Sequence, residues 1–221
     1  VATAVGGTAV PGDVSLVEVL EEIIAAAESA YGPVDLFFAN AGISGEPGIG
    51  DSDEEWQRTL DINLLSHVRA ARLLLPGWIE RGSGYFVSTA SAAGLLTQIG
   101  AAPYSVTKHA AVGFSEWLSV TYGDQGIRVS CICPMGVNTN IHNGALASDD
   151  EASQLGASVV ARAGTVLEPE DVAALTLAAI EDESFLVLPH PEVLTYYRRK
   201  GSDYDRWLDG MRRLQREAAR S

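Results

Sequence analysis

Tyr104 and Lys108 stand four residues apart in Tyr104-Ser105-Val106-Thr107-Lys108. That is about one helical turn, so on a helix both polar tips lie on one face and can serve the same bound molecule. A free phenol titrates near about pH 10, and a fixed positive charge beside it favours the phenolate, drawing tyrosine toward the working range of a general acid or base. The pair alone is a common surface spacing. What gives it weight is Ser91, thirteen residues upstream, placed just after the apolar run Tyr85-Phe86-Val87, which reads as a buried strand. Ligand crevices of open parallel sheets lie just beyond the C-terminal ends of the strands. Phe37-Phe38-Ala39-Asn40-Ala41-Gly42 repeats the arrangement of apolar strand and small polar turn, glycine letting the backbone pass close to a ligand. Asn63 falls inside a helical pattern, a polar group on an apolar face that must be bonded if buried.

Taken together, these residues make the chain resemble the short-chain dehydrogenase/reductase family, which pairs a Tyr-x-x-x-Lys helix with an upstream serine, an Asn-Ala-Gly turn and a helix asparagine. The resemblance runs from about Thr8 to Leu188. It implies that Ser91 holds the substrate oxygen, Tyr104 exchanges its proton, Lys108 binds the nicotinamide ribose and lowers the tyrosine pKa, and Asn63 completes a proton relay. It further implies that Asp13 and Val14 hold the adenine, that Asn40, Ala41 and Gly42 pass the ribose, and that Pro134, Val137 and Thr139 meet the nicotinamide carboxamide. In Pro134-Met135-Gly136-Val137-Asn138-Thr139 the family order Pro-Gly-x-Val-x-Thr is altered at Met135 and Gly136.

The fold so implied is α/β, a Rossmann-like doubly wound parallel sheet in a single domain. The function implied is hydride transfer between NAD or NADP and an uncharged secondary alcohol or ketone. A homodimer or homotetramer is implied as well, joined through the helices that carry Tyr104 and Asn63. The family's first strand, Gly-rich phosphate loop and second strand have no counterpart before Asp13, so the first βαβ portion is expected to be missing from a longer gene product. The residue that separates NAD from NADP lies in that portion. A competing reading is a non-catalytic binding or regulatory protein on a degraded dehydrogenase scaffold. An epimerase or dehydratase of the extended relatives would need a larger C-terminal substrate domain.

The elements that must position these residues can be read in turn. A short strand is expected over 8–11, and Ser15-Leu16-Val17-Glu18 reads as a capping box opening a helix to about residue 30. A strand is expected over 35–39, and Ser52 with Glu55 caps a helix whose Trp56, Leu60, Asn63, Leu64 and Val68 are spaced to pack inward. Residues 91–103 form a mostly apolar wall, which points to an uncharged substrate. Further strands are expected over 128–133 and 185–189, and residues 140–163 read as a mobile substrate lid. At the end, Tyr204, Trp207, Leu208, Met211 and Leu214 mark an amphipathic helix that docks on a partner subunit or borders the site's mouth.

The 221 residues, 47% hydrophobic and 20% charged, suit one globular domain, assigned to 1–190, with a basic amphipathic extension over 191–221. A net charge of -14 argues against nucleic acid or an anionic membrane surface as partner. No apolar run approaches the roughly 20 residues of a membrane span. Cys131 and Cys133 flank Ile132, share one strand face, and are too few for a metal cage, so they are expected to be buried thiols of a cytoplasmic protein.

Overall fold

The computed structural model describes residues 2–220. In chain order the elements are α1 Ala2–Val5, α2 Val17–Tyr31, β1 Leu36–Ala39, α3 Asp53–Leu60, a π-helical turn Asp61–Leu65, α4 Ser66–Arg81, β2 Gly84–Thr89 and α5 Ala93–Leu96. They continue with α6 Ala102–Tyr122, β3 Ile127–Ile132, α7 Asn140–Leu146, α8 Glu151–Ala163, α9 Pro169–Glu181, β4 Leu186–Val187, α10 Glu192–Ser202 and α11 Tyr204–Ala218. The strands form one parallel sheet in the order β1-β2-β3-β4, Ala39 pairing with Ser88 and Ser88 with Cys131. Parallel strands need long crossovers, and the helices between them supply these and cover the sheet.

Trp78, Phe86, Leu118 and Ile127 centre the main core. The Trp78 indole N–H donates to Val34 O at 2.7 Å, so this large ring is buried without an orphaned donor. The strand runs and helices fall where the apolar patterning put them, with four differences. Residues 8–11 form no strand. Ser15 does not cap α2; Leu16 occupies that position, and the Ser15 amide is taken by the Asp13 carboxylate at 2.9 Å in a local turn. Residues 140–163 fold into α7 and α8 rather than an irregular lid. The π-helical turn rotates the face of the α3–α4 run: Ile62, Asn63, His67 and Ala70 are buried, while Leu64 and Val68 stay partly open. The extra residue in that turn shows in the Ser66 amide, which donates to Asp61 O. By contrast, Ser52 caps α3 as expected, its Oγ accepting from the Glu55 amide at 3.2 Å.

The two helices after the last strand pack back on this body. Lys200 is buried, and its Nζ donates to Leu95 O at 2.7 Å, fastening α10 to α5. His109 completes the clamp at 3.3 Å from the same Nζ.

Candidate active site

Ser91, Tyr104 and Lys108 meet at the C-terminal edge of β2, because β2 ends at Thr89 and α6 runs across it. Pro103 sits in the first turn of α6, where its missing N–H costs nothing. Two turns of α5 and α6 must touch for this, and Gly94 allows it: a Cβ there would stand 2.4 Å from Lys108 O. Lys108 is buried, its Nζ donating to Thr89 O at 2.8 Å and standing 5.6 Å from the centroid of the Tyr104 ring. Burial holds the ammonium down to a pKa of about 8. Burial pushes the Tyr104 phenol up, opposed in part by its hydrogen bond with Ser91. The net direction is therefore upward, opposite to the fall expected from a neighbouring ammonium alone, because desolvation dominates. The Ser91 Oγ accepts from the Ala93 amide at 3.1 Å and makes a long bond to Pro134 O at 3.4 Å, so the loops after β2 and β3 are joined at the serine.

Asn63 is buried and fully engaged. Its Oδ1 accepts from the Ile43 amide at 2.8 Å, and its Nδ2 donates to Ile43 O at 2.9 Å and to Thr107 Oγ1 at 3.1 Å. Thr107 in turn donates to Tyr104 O at 3.1 Å, so the asparagine ties the Asn40-Ala41-Gly42 turn to the tyrosine helix. A Cβ on Gly42 would come within 3.4 Å of both Asn63 Oδ1 and Lys108 Nζ, which places that turn directly over the lysine. Asn40 accepts from Thr89 Oγ1 at 2.9 Å. Val14, Asn40 and Ala41 line one groove of about 340 Å³ beside β1. Asp13 lies exposed at its approach, its carboxyl held low by the Ser15 amide.

Beyond β3, Thr139 Oγ1 donates to Val137 O at 3.3 Å, and Asn138 bonds Glu168. No motif or spacing pointed to what holds this loop. His190, buried, accepts at Nδ1 from the Met135 amide at 3.1 Å and directs Nε2 at Gly136 O and Thr165 O at 3.1 and 3.0 Å. Met135 and Gly136 are the positions that depart from the family order, and the imidazole binds both. Thr89 and Thr107 also escaped sequence reading, since a threonine beside a motif looks like any other. His67, buried against Phe86, bonds Ser88 Oγ at 3.1 Å through Nδ1 and leaves Nε2 without a partner among the described residues. Burial and the Lys108 charge hold it near pKa about 3, so it is neutral.

Cys131 and Cys133 are buried thiols with sulfurs 3.9 Å apart. Among the described residues no helix is long and apolar enough to cross a membrane.

Residues 3–150 match the family model described as short chain dehydrogenase. Momilactone A synthase of Oryza sativa subsp. japonica is 35% identical over 166 residues, 71% of this chain and 59% of the relative. The chain thus spans about three fifths of that protein's length. The mitochondrial borneol dehydrogenase of Lavandula x intermedia is 36% identical over 192 residues, covering 84% of this chain and 70% of its own. Among solved structures, a short chain dehydrogenase/reductase from Burkholderia phymatum in complex with NAD superposes with a TM-score of 0.79 at 29% identity, over 92% of this chain and 78% of that one.

Proposed function

The chain belongs to the short-chain dehydrogenase family, and from that premise we propose that it is an oxidoreductase moving a hydride between NAD or NADP and an uncharged carbon centre, a secondary alcohol or ketone. The observation that carries this reading is the Lys108 ammonium, anchored on Thr89 O at 2.8 Å and 5.6 Å from the ring of a Tyr104 whose hydroxyl bonds Ser91.

The residues fit the nicotinamide half of such a cofactor. An ammonium has three donors, and Lys108 spends one on Thr89, leaving others for ribose hydroxyls on the side the Gly42 backbone leaves open. Asn40 and Ala41 border the same space, Val137 and Thr139 would meet the carboxamide, and Pro134 would shape the turn before them. Asp13 and Val14 would hold the adenine at the far end of the groove that Val14 shares with Asn40 and Ala41. A nicotinamide dinucleotide held there supplies or accepts the hydride.

The proton is handled by this chain's own groups. In the reducing direction the Tyr104 phenol donates its proton to the substrate oxygen, which Ser91 Oγ holds by a hydrogen bond. The nearby Lys108 charge stabilises the phenolate left behind. In the oxidising direction the phenolate takes the hydroxyl proton. Asn63 keeps the geometry, fixing the Ile43 backbone and the α6 turn that bears Thr107 and Tyr104.

The same reading makes the chain a homodimer or homotetramer, in which Val106, Trp117 and Val120, exposed along α6, turn toward a second copy. Light scattering reads that state directly. The reduced cysteine pair supports a cytoplasmic location. The test of the reading is a fluorescence titration of the purified protein with NADH and with NADPH. Saturable binding of one, lost in Lys108→Met, is the expected result; no binding of either contradicts it.

A further inference from the structure

A cavity of about 790 Å³ opens between α5, α8, α10 and α11. Its inner wall is apolar: Ala92 and Ala93, which directly follow Ser91, then Leu96, Ile99, Met135 and Val159. Met135 also follows Pro134, whose carbonyl Ser91 contacts. The cavity therefore reaches the reactive serine through its immediate backbone neighbours, although Ser91 and Tyr104 are not themselves among its walls. The rim is different in kind. Arg162 comes from α8, Arg199 from α10, and Arg206 and Arg213 from α11, against one carboxylate, Asp203. Asp203 is occupied, its Oδ1 accepting from the Arg206 amide at 3.0 Å as the cap of α11. Arg199, Arg206 and Arg213 form no ion pair with any described residue.

Such a rim is out of character with the rest of the molecule. The whole chain carries -14, and its field disfavours an approaching anion. Arg199 of α10 and Arg206 and Arg213 of α11 bring positive charge to one apolar mouth. Trp207, Met211 and Leu214 of α11 turn their apolar side to the same cavity, so the helix lays an apolar stripe against the pocket and carries its cations along the edge. Guanidinium groups recognise carboxylates and phosphates through a planar fork of donors.

We infer that the physiological substrate is amphipathic: an uncharged alcohol or ketone at the Ser91–Tyr104 end, an aliphatic or alicyclic body along the apolar wall, and an anionic group bound by Arg199, Arg206 and Arg213 at the rim. This rests on the oxidoreductase reading and narrows its substrate class. It keeps the reacting carbon uncharged, as the wall near Ser91 requires, and places the charge at the other end of the molecule. The arginines are exposed, so each contributes modestly and the effect is screened by salt.

The experiment uses the full chain and a series of methyl ketones bearing a terminal carboxylate on chains of increasing length, each beside its methyl ester. Calorimetric affinity and kcat/KM are both read at low and high salt. At the best chain length the acid is expected to exceed its ester by about tenfold at low salt, three modest charge contacts acting together, and the advantage to shrink as salt is added. The acid-to-ester ratio should collapse in Arg206→Glu/Arg213→Glu and persist in Arg206→Lys/Arg213→Lys, with melting temperature confirming that both fold. Equal affinity for acid and ester at every length, or a preference surviving charge reversal, overturns the inference. Tyr104→Phe separates the two claims: it should remove turnover of acid and ester alike and leave the binding preference for the acid in place.

Discussion

On the proposed reading, the protonation state of Tyr104 sets how the initial rate in each direction depends on pH. Burial holds it above its ordinary value and hydrogen bonding with Ser91 only partly offsets that, so at neutral pH it is the protonated acid. Ketone reduction uses that form and alcohol oxidation uses the phenolate, whose fraction rises about tenfold per pH unit below the pKa. Oxidation is therefore predicted to climb by about tenfold per unit between about pH 6 and 8 while reduction stays nearly flat, both read as initial rates at saturating substrate. Parallel profiles for the two directions would contradict this. Lys108 adds its own linkage. Its folded pKa of about 8 lies below the ordinary lysine value of 10.5, so between them the unfolded chain binds a proton that the folded chain does not. Its contribution to stability thus rises with pH across that window, and at neutral pH the buried ammonium costs about 3 kcal/mol. A ligand that offers it hydroxyl oxygens offsets part of that cost. The pairing of Tyr104 with Lys108 was legible at the residue scale because the Tyr-x-x-x-Lys spacing survives any uncertainty about the fold. The direction of the tyrosine shift was not, since it depends on how deeply α6 is buried, which spacing does not carry.

At the scale of elements, the site is a junction of loops held from behind. Asn63 could be placed by pattern, but its partners come from residues twenty and forty-four positions away, a pairing that only the folded backbone creates. The π-helical turn that aims it inward interrupts the helical period, which is why Leu64 and Val68 were read as core and His67 was overlooked. His190 is the least visible case. Its neighbours are prolines and a strand end, yet it bonds the backbone of Met135, Gly136 and Thr165. His190→Ala orphans buried backbone groups and is predicted to cost about 1–3 kcal/mol in a denaturant melt. Because the loop it holds leads to Val137 and Thr139, the variant should also weaken binding of the preferred dinucleotide, NADH or NADPH, by about tenfold, and His190→Gln, with an acceptor and donors of its own, should recover part of both. A loss of stability with affinity for that dinucleotide unchanged would show that the imidazole supports the fold and not the loop's function.

On the scale of the whole molecule, the family resemblance implied a parallel sheet with helices on its faces, and the strands stand in sequence order. The tail was read as a basic amphipathic helix of uncertain destination, and charge pattern alone could not say which surface receives its apolar side. In the folded chain α10 and α11 pack on α5 and α8 of the same molecule, so the helix borders the cavity next to Ser91. Whether Tyr104 is the proton-exchanging acid and base of the proposed hydride-transfer site is decided by turnover of one secondary alcohol in the wild type and in Tyr104→Phe, with NADH or NADPH affinity measured on the same preparations. The expected result is a loss of about a thousandfold in turnover with cofactor affinity within about twofold of wild type, since the phenol oxygen is the only atom removed and Lys108 remains in place. Turnover retained in the phenylalanine variant would contradict it.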